Sequence, residues 1–165
     1  DQIRRGLAEF KNVGARQKIY QKNGLTVIED CYNASPESMK AALGVMNSVY
    51  SANAENMGRR IAVLGNMLEL GERSASLHAG LGEFAAEDAD ILFTLGDDAE
   101  RIAESARKFG LSDCRCYKFS EDGKAALKRD LINEFRNGDI VLFKASHSIG
   151  LEQTAREIFG NSDNG

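Results

Sequence analysis

From residue 25 onward the chain repeats one pattern: a short apolar run, a turn, then a longer stretch whose apolar positions recur at helical spacing. Apolar runs at 25–30, 60–64, 91–95, 115–119 and 140–144 predict strands, four of them too continuous to be half exposed. Between them, Met39, Leu43, Met46 and Tyr50 predict one helix, and Leu77, Leu81, Phe84 and Ala85 a second. Ile102, Ala106 and Phe109 predict a third, Leu127, Leu131 and Phe135 a fourth, and residues 151–159 a last one. Punctuation agrees with these boundaries. Ser35 is placed to cap a helix whose first residue is Pro36, Gly65 and Gly96 close two strands, and Gly110 stops the third helix. Asn137-Gly138-Asp139 marks a turn before the last strand.

Strands alternating with helices of this length imply βαβ units joined by right-handed crossovers. The N-terminal part differs. Residues 16–21 and 25–30 flank Lys22-Asn23-Gly24, the signature of a hairpin turn. The fold class is therefore α/β: a Rossmann-like three-layer domain with a mostly parallel sheet and an antiparallel N-terminal edge hairpin. Residues 1–14 carry no strong pattern and read as a lead-in, and the tail at 160–165 as frayed. With 165 residues a single domain spanning 1–165 is expected. The chain starts without Met in what reads as mid-protein, so a fragment of a longer protein is the expectation.

Composition narrows the partners. The net charge is −4 with no basic block, which argues against nucleic acid and anionic membranes. No apolar run approaches the about 18 residues that a membrane span requires. Three cysteines fit a reducing, cytoplasmic setting. Cys114 and Cys116 share one face of a strand; they read either as a metal or redox pair or as two small apolar residues, and no second Cys or His pair completes a zinc site.

In such sheets ligands bind where strands end and helices begin. Five loops meet that description, and three are rich in chemistry. The first, 30–35, offers Asp30 for ribose hydroxyls or a metal-bound water, Tyr32 for a base, and Asn33 for a phosphate or ribose; it reads equally as a helix-capping turn. The second, 65–73, holds Met67, Leu68 and Leu70, which either pack over the sheet edge or face another domain. Its Glu69 and Glu72 either bind a cation or are solvated, and His78 just beyond reads as a boundary residue rather than a ligand. The third, 144–150, places Lys144, Ser146, His147 and Ser148 before a helix N-terminus, a setting that favours a carboxylate or phosphate. A Ser–His nucleophile is disfavoured there, since the pair is adjacent in sequence and no G-x-S-x-G elbow exists. No G-x-x-x-x-G-K-[ST] phosphate loop occurs anywhere, so another segment must cradle the phosphates of any ATP used.

Asp30-Cys31-Tyr32-Asn33-Ala34-Ser35-Pro36-Glu37-Ser38-Met39, the run from Ile61 to Glu72, and the run from Gly138 to Glu152 together resemble the C-terminal domain of the Mur ligases, in particular the members that add D-alanyl-D-alanine. The resemblance covers nearly the whole chain, in order. It implies the third domain of a three-domain bacterial cytoplasmic enzyme of peptidoglycan synthesis, with ATP and Mg2+ held mainly by a central domain and UDP-N-acetylmuramoyl-tripeptide by an N-terminal one. It implies nucleotide contacts from Asp30, Tyr32 and Asn33, and dipeptide contacts from Lys144, Ser146, His147 and Ser148. Asn66 and Glu69 would lie on a loop facing the central domain. No catalytic or metal-ligating residue is assigned to this chain. Four positions depart from the usual pattern: Ser35 for Asn, Asn66 for Asp, Ala145 for Gly, and His147 for Arg. The alternatives are a sister ligase adding glutamate or another amino acid, or a stand-alone nucleotide-binding regulatory module.

Overall fold

The computed structural model describes residues 17–53, 55 and 58–160. The chain direction first reverses at Asn23 and Gly24, both at positive φ (54° and 78°), as a two-residue hairpin turn demands. This turn joins β1 (Lys18–Lys22) to β2 (Leu25–Asp30) in antiparallel register, with Lys22 opposite Leu25. Arg16 and the lead-in at 1–14 lie outside the described residues, as does all of the tail beyond Gly160.

The elements then alternate: α1 (Pro36–Ala52), β3 (Arg60–Gly65), a 3-10 turn (Gly71–Arg73), α2 (Ser74–Ala79), α3 (Gly82–Asp88), β4 (Ile91–Leu95) and α4 (Asp97–Lys108). After them come β5 (Cys114–Tyr117), α5 (Glu121–Glu134), β6 (Ile140–Lys144), a second 3-10 turn (His147–Ile149) and α6 (Leu151–Phe159). The six strands lie in the order β1-β2-β6-β3-β4-β5, and every pair except β1 with β2 is parallel.

Alternate residues of each strand feed two separate cores. Ala62, Leu64, Leu92 and Leu142 face α1, α3 and α4 through Met39, Leu43, Met46, Leu81 and Ile102. Ile61, Val63, Phe93, Val141 and Phe143 face α5 and α6 through Leu127, Leu131, Leu151 and Phe159. Helices therefore cover both faces, which gives the expected three-layer α/β fold. α1 begins as its sequence demands. Ser35 accepts from Ser38 N at 3.1 Å, Ser38 Oγ returns a bond from Ser35 N, and Pro36 occupies the first helical position.

Some sequence expectations shift. The second predicted helix is two short ones, because the chain breaks at Gly80; Leu77 is only half-buried and His78 takes the interior position. Phe109 does not join the core. It caps α4 at 56% exposure, and Leu111 fills the space instead. Phe119 falls outside β5 and is likewise exposed. Cys114 and Cys116 are free thiols packed at the margin of the first core. Among the described residues no helix is long and apolar enough to cross a membrane.

Candidate functional site

The five parallel strands end on one rim, and β6 is central in it, between β2 and β3. That position fixes the fate of Lys144. Its stem is flanked by Asp30 of β2 and Leu64 of β3, so the side chain is 1% exposed. The ammonium donates to Asn33 O at 2.9 Å and Asp30 O at 3.4 Å, and lies 3.1 Å from Asp30 Oδ1. Lys144 thus ties the third rim loop to the first and points its charge into that joint.

The second loop is tied in by Ser146 and Asn66. Leu68 N donates to Ser146 Oγ at 2.9 Å, and Ser146 N donates to Asn66 O at 3.1 Å. Asn66 Oδ1 also accepts from Ala99 N at 2.8 Å, which caps α4 from a neighbouring strand because the helix's own N-cap, Gly96, has no side chain. Gly65 permits the close approach of the loops: a Cβ there would meet Ala145 Cβ at 2.7 Å and Ile149 Cγ2 at 2.9 Å.

Beneath the second loop lies His78, wholly buried rather than at a boundary. Its Nδ1 is 2.7 Å from Ser74 O, a carbonyl that can only accept, so Nδ1 carries the proton. Nε2 is then free to accept from Met67 N at 2.9 Å. Ser74 Oγ donates to Asp98 Oδ2 at 3.1 Å, extending the chain of bonds to α4. Burial lowers the His78 pKa from its ordinary value of 6.5, more than the Ser74 carbonyl and Asp98 raise it. The apolar residues of this loop divide between the two roles that their sequence allows. Met67 is buried and Leu70 packs against the first core, whereas Leu68 is 41% exposed. Glu69, exposed, holds a left-handed φ of 62°, a conformation that costs a non-glycine residue free energy.

What remains open to solvent on the rim is a smaller set. Tyr32 is 52% exposed, and its ring lies 5.9 Å from that of exposed His147, tilted by 42°. Asn33 and Ser148 are exposed, and Asn33 turns its Oδ1 to Ala34 N at 2.9 Å. Asp30 is partly exposed and shared between Lys144 and Gln17 Nε2, 3.4 Å away. The structure therefore brings Asp30, Asn33 and Lys144 together, Tyr32 with His147, and Asn66 with Ser146. Glu29, one residue before Asp30, points to the opposite face, where Tyr20 donates to it at 3.1 Å and burial raises its carboxyl. Among the described residues no group of three or more His, Cys, Asp or Glu side chains is arranged to hold a metal ion. The roles of His78 and Asn66 were not visible in the sequence beyond one hint: a histidine four residues after Ser74 lies one helical turn from it.

Comparison with known proteins places this rim in context. The sequence pattern described as "Mur ligase, glutamate ligase domain" matches residues 15–147. A UDP-N-acetylmuramoyl-tripeptide–D-alanyl-D-alanine ligase of Bacillus subtilis is 36% identical over 160 residues, covering 93% of this chain and 32% of that protein. The Escherichia coli protein of the same name is 29% identical, covering 98% of this chain and 33% of its own length. The chain thus spans about a third of these relatives. Among solved structures, the MurF ligase of Thermotoga maritima in complex with ADP superposes with a TM-score of 0.67 at 31% identity, over 93% of this chain and 32% of that one. A MurF structure from Acinetobacter baumannii gives 0.71 at 26% identity, over 90% of this chain and 31% of that one.

Proposed function

The chain belongs to the Mur ligase family, and from that premise we propose that it is the C-terminal domain of a ligase that joins D-alanyl-D-alanine to UDP-N-acetylmuramoyl-tripeptide in the bacterial cytoplasm. In the proposed reaction ATP phosphorylates the tripeptide carboxylate, the dipeptide amine attacks the acyl phosphate, and ADP and phosphate leave. One observation carries the reading: three chemistry-bearing loops are bonded into a single rim through Lys144, Ser146 and Asn66. A domain that closes over a reactive acyl phosphate needs such a rigid edge, because it must exclude water and hold the amine in line. Similarity to several ligases of this specificity supports the substrate assignment.

On this reading Tyr32 and Asn33 form the nucleotide-facing edge, with Asp30 placed by Lys144. His147 and Ser148 border the dipeptide, and buried Lys144 and Ser146 position the loops that do so. Asn66 and Glu69 hold the second loop toward the central domain. Magnesium and the ATP phosphates are assigned to that central domain, since this chain has neither a phosphate loop nor, among the described residues, an acidic cluster.

The test is phosphate release by the full-length protein with ATP and UDP-N-acetylmuramoyl-tripeptide, offering D-alanyl-D-alanine or single amino acids. Release with the dipeptide alone is expected, and none from the 165-residue chain by itself. Release that follows a single amino acid assigns a sister ligase, and turnover by the isolated chain overturns the domain assignment.

A further inference from the structure

The groove between α5 and α6 holds chemistry that the rim loops do not use. It encloses about 270 Å³, with Glu121, Lys124 and Lys128 on one wall and Gly150, Gln153 and Glu157 on the other. Away from the rim its charges satisfy each other: Lys128 Nζ lies 3.3 Å from Glu157 Oε2, and Gln153 Nε2 donates to Glu157 Oε1 at 3.1 Å. Nearer the rim they do not. Lys124 has no carboxylate within 4 Å among the described residues. Its ammonium rests 4.8 Å from the centroid of the exposed Phe119 ring. It also stands 3.4 Å from the point above Gly150 where a side chain would begin. Gly150 ends the third rim loop at φ 82° and opens α6 with no side-chain cap.

A cation held over a bare glycine at the edge of a cleft is suited to a small anion. Glu121 stands exposed on the same wall and disfavours a dianion, so a singly charged carboxylate fits better than a phosphate. We propose that this cleft anchors the carboxylate of the amine substrate, with Lys124 as its cation. The substrate's identity rests on the function proposed above. Anchored at Gly150, the dipeptide extends its amine back along the third rim loop toward His147, where it meets the acyl group.

The test compares D-alanyl-D-alanine with its C-terminal amide in the full-length protein, by phosphate release. The parent protein should prefer the acid, and Lys124→Gln should raise the KM for the acid about tenfold or more while leaving the KM for ATP unchanged. The variant should also lose the preference for acid over amide, and Lys124→Arg should restore it. Loss of folding alone would not erase that preference selectively. A Lys124→Gln protein that still prefers the acid overturns the proposal and leaves the ligase assignment standing. If a single amino acid proves to be the substrate, the function proposal falls, and the same acid–amide comparison on that amino acid judges Lys124 separately. No release with any amine overturns both.

Discussion

A lysine that is 1% exposed persists only when its ammonium is satisfied, and Lys144 meets that condition with two backbone carbonyls and one carboxylate. Lys144→Met keeps the apolar stem but leaves the Asn33 carbonyl without its donor and Asp30 without its cation. Asp30 is 22% exposed, so water recovers part of the loss. The expected destabilisation is about 2–3 kcal/mol, read from the shift of a urea unfolding midpoint. A change below about 0.5 kcal/mol would show that the joint adds nothing. The sequence places Lys144 at a strand end beside polar residues, and that much is legible. Its inward direction is not, because burial depends on β6 lying between β2 and β3, and strand order leaves no local trace. Tyr32 and His147 make the same point: 115 positions apart in the chain, they meet only because their strands are neighbours.

At the level of elements, α2 serves less as a packing helix than as a mount for His78, which holds the second loop through Met67 N. The neutral imidazole is the form that fits, since Nε2 accepts while Nδ1 donates. Protonating Nε2 would set two donors against each other. The groups facing it are Ser74, Asp98 and Arg101, and burial outweighs them in lowering its pKa. The unfolded chain therefore binds the proton more tightly than the folded one. The stabilisation is complete above about pH 6.5 and is lost as the pH falls below it. Urea titrations of the parent and of His78→Gln should show a stability difference that is largest near pH 7.5 and shrinks on acidification, with a slope of at most about 1.4 kcal/mol per pH unit. A difference independent of pH would mean that the ring acts by shape alone. Elements set by local chemistry were readable beforehand: the Asn23-Gly24 hairpin, the Ser35-Pro36 helix start and the continuous apolar strands. Those set by tertiary demand were not. Gly80 breaks an apparent stripe in two, and α4 takes its cap from Asn66 in another strand, a partner that no window around residues 97–108 contains.

For the whole molecule, the division of labour between the two faces and the rim decides what each part can do. The faces are covered by helices and spent on the two cores. The rim is left with exposed Leu68 beside Glu69 at φ 62°, on a loop whose backbone is nevertheless fixed by Ser146 and His78. A fixed loop that presents an apolar side chain to solvent is suited to being covered by another body, and in a closing ligase that body is the central domain. Leu68→Ser removes apolar area that only closure buries. The stability of this domain should change by no more than about 0.5 kcal/mol, because the side chain is already exposed here. In the full-length protein the same change should lower kcat/KM for ATP and for the dipeptide together, by about tenfold, since burying one leucine contributes about 1.5–3 kcal/mol. Parallel losses mark a defect in closure, whereas a loss confined to one substrate would make Leu68 part of that substrate's pocket. Unfolding curves and initial rates on the same variant separate these outcomes, and an unchanged kcat/KM for both substrates would remove the second loop from the closing surface.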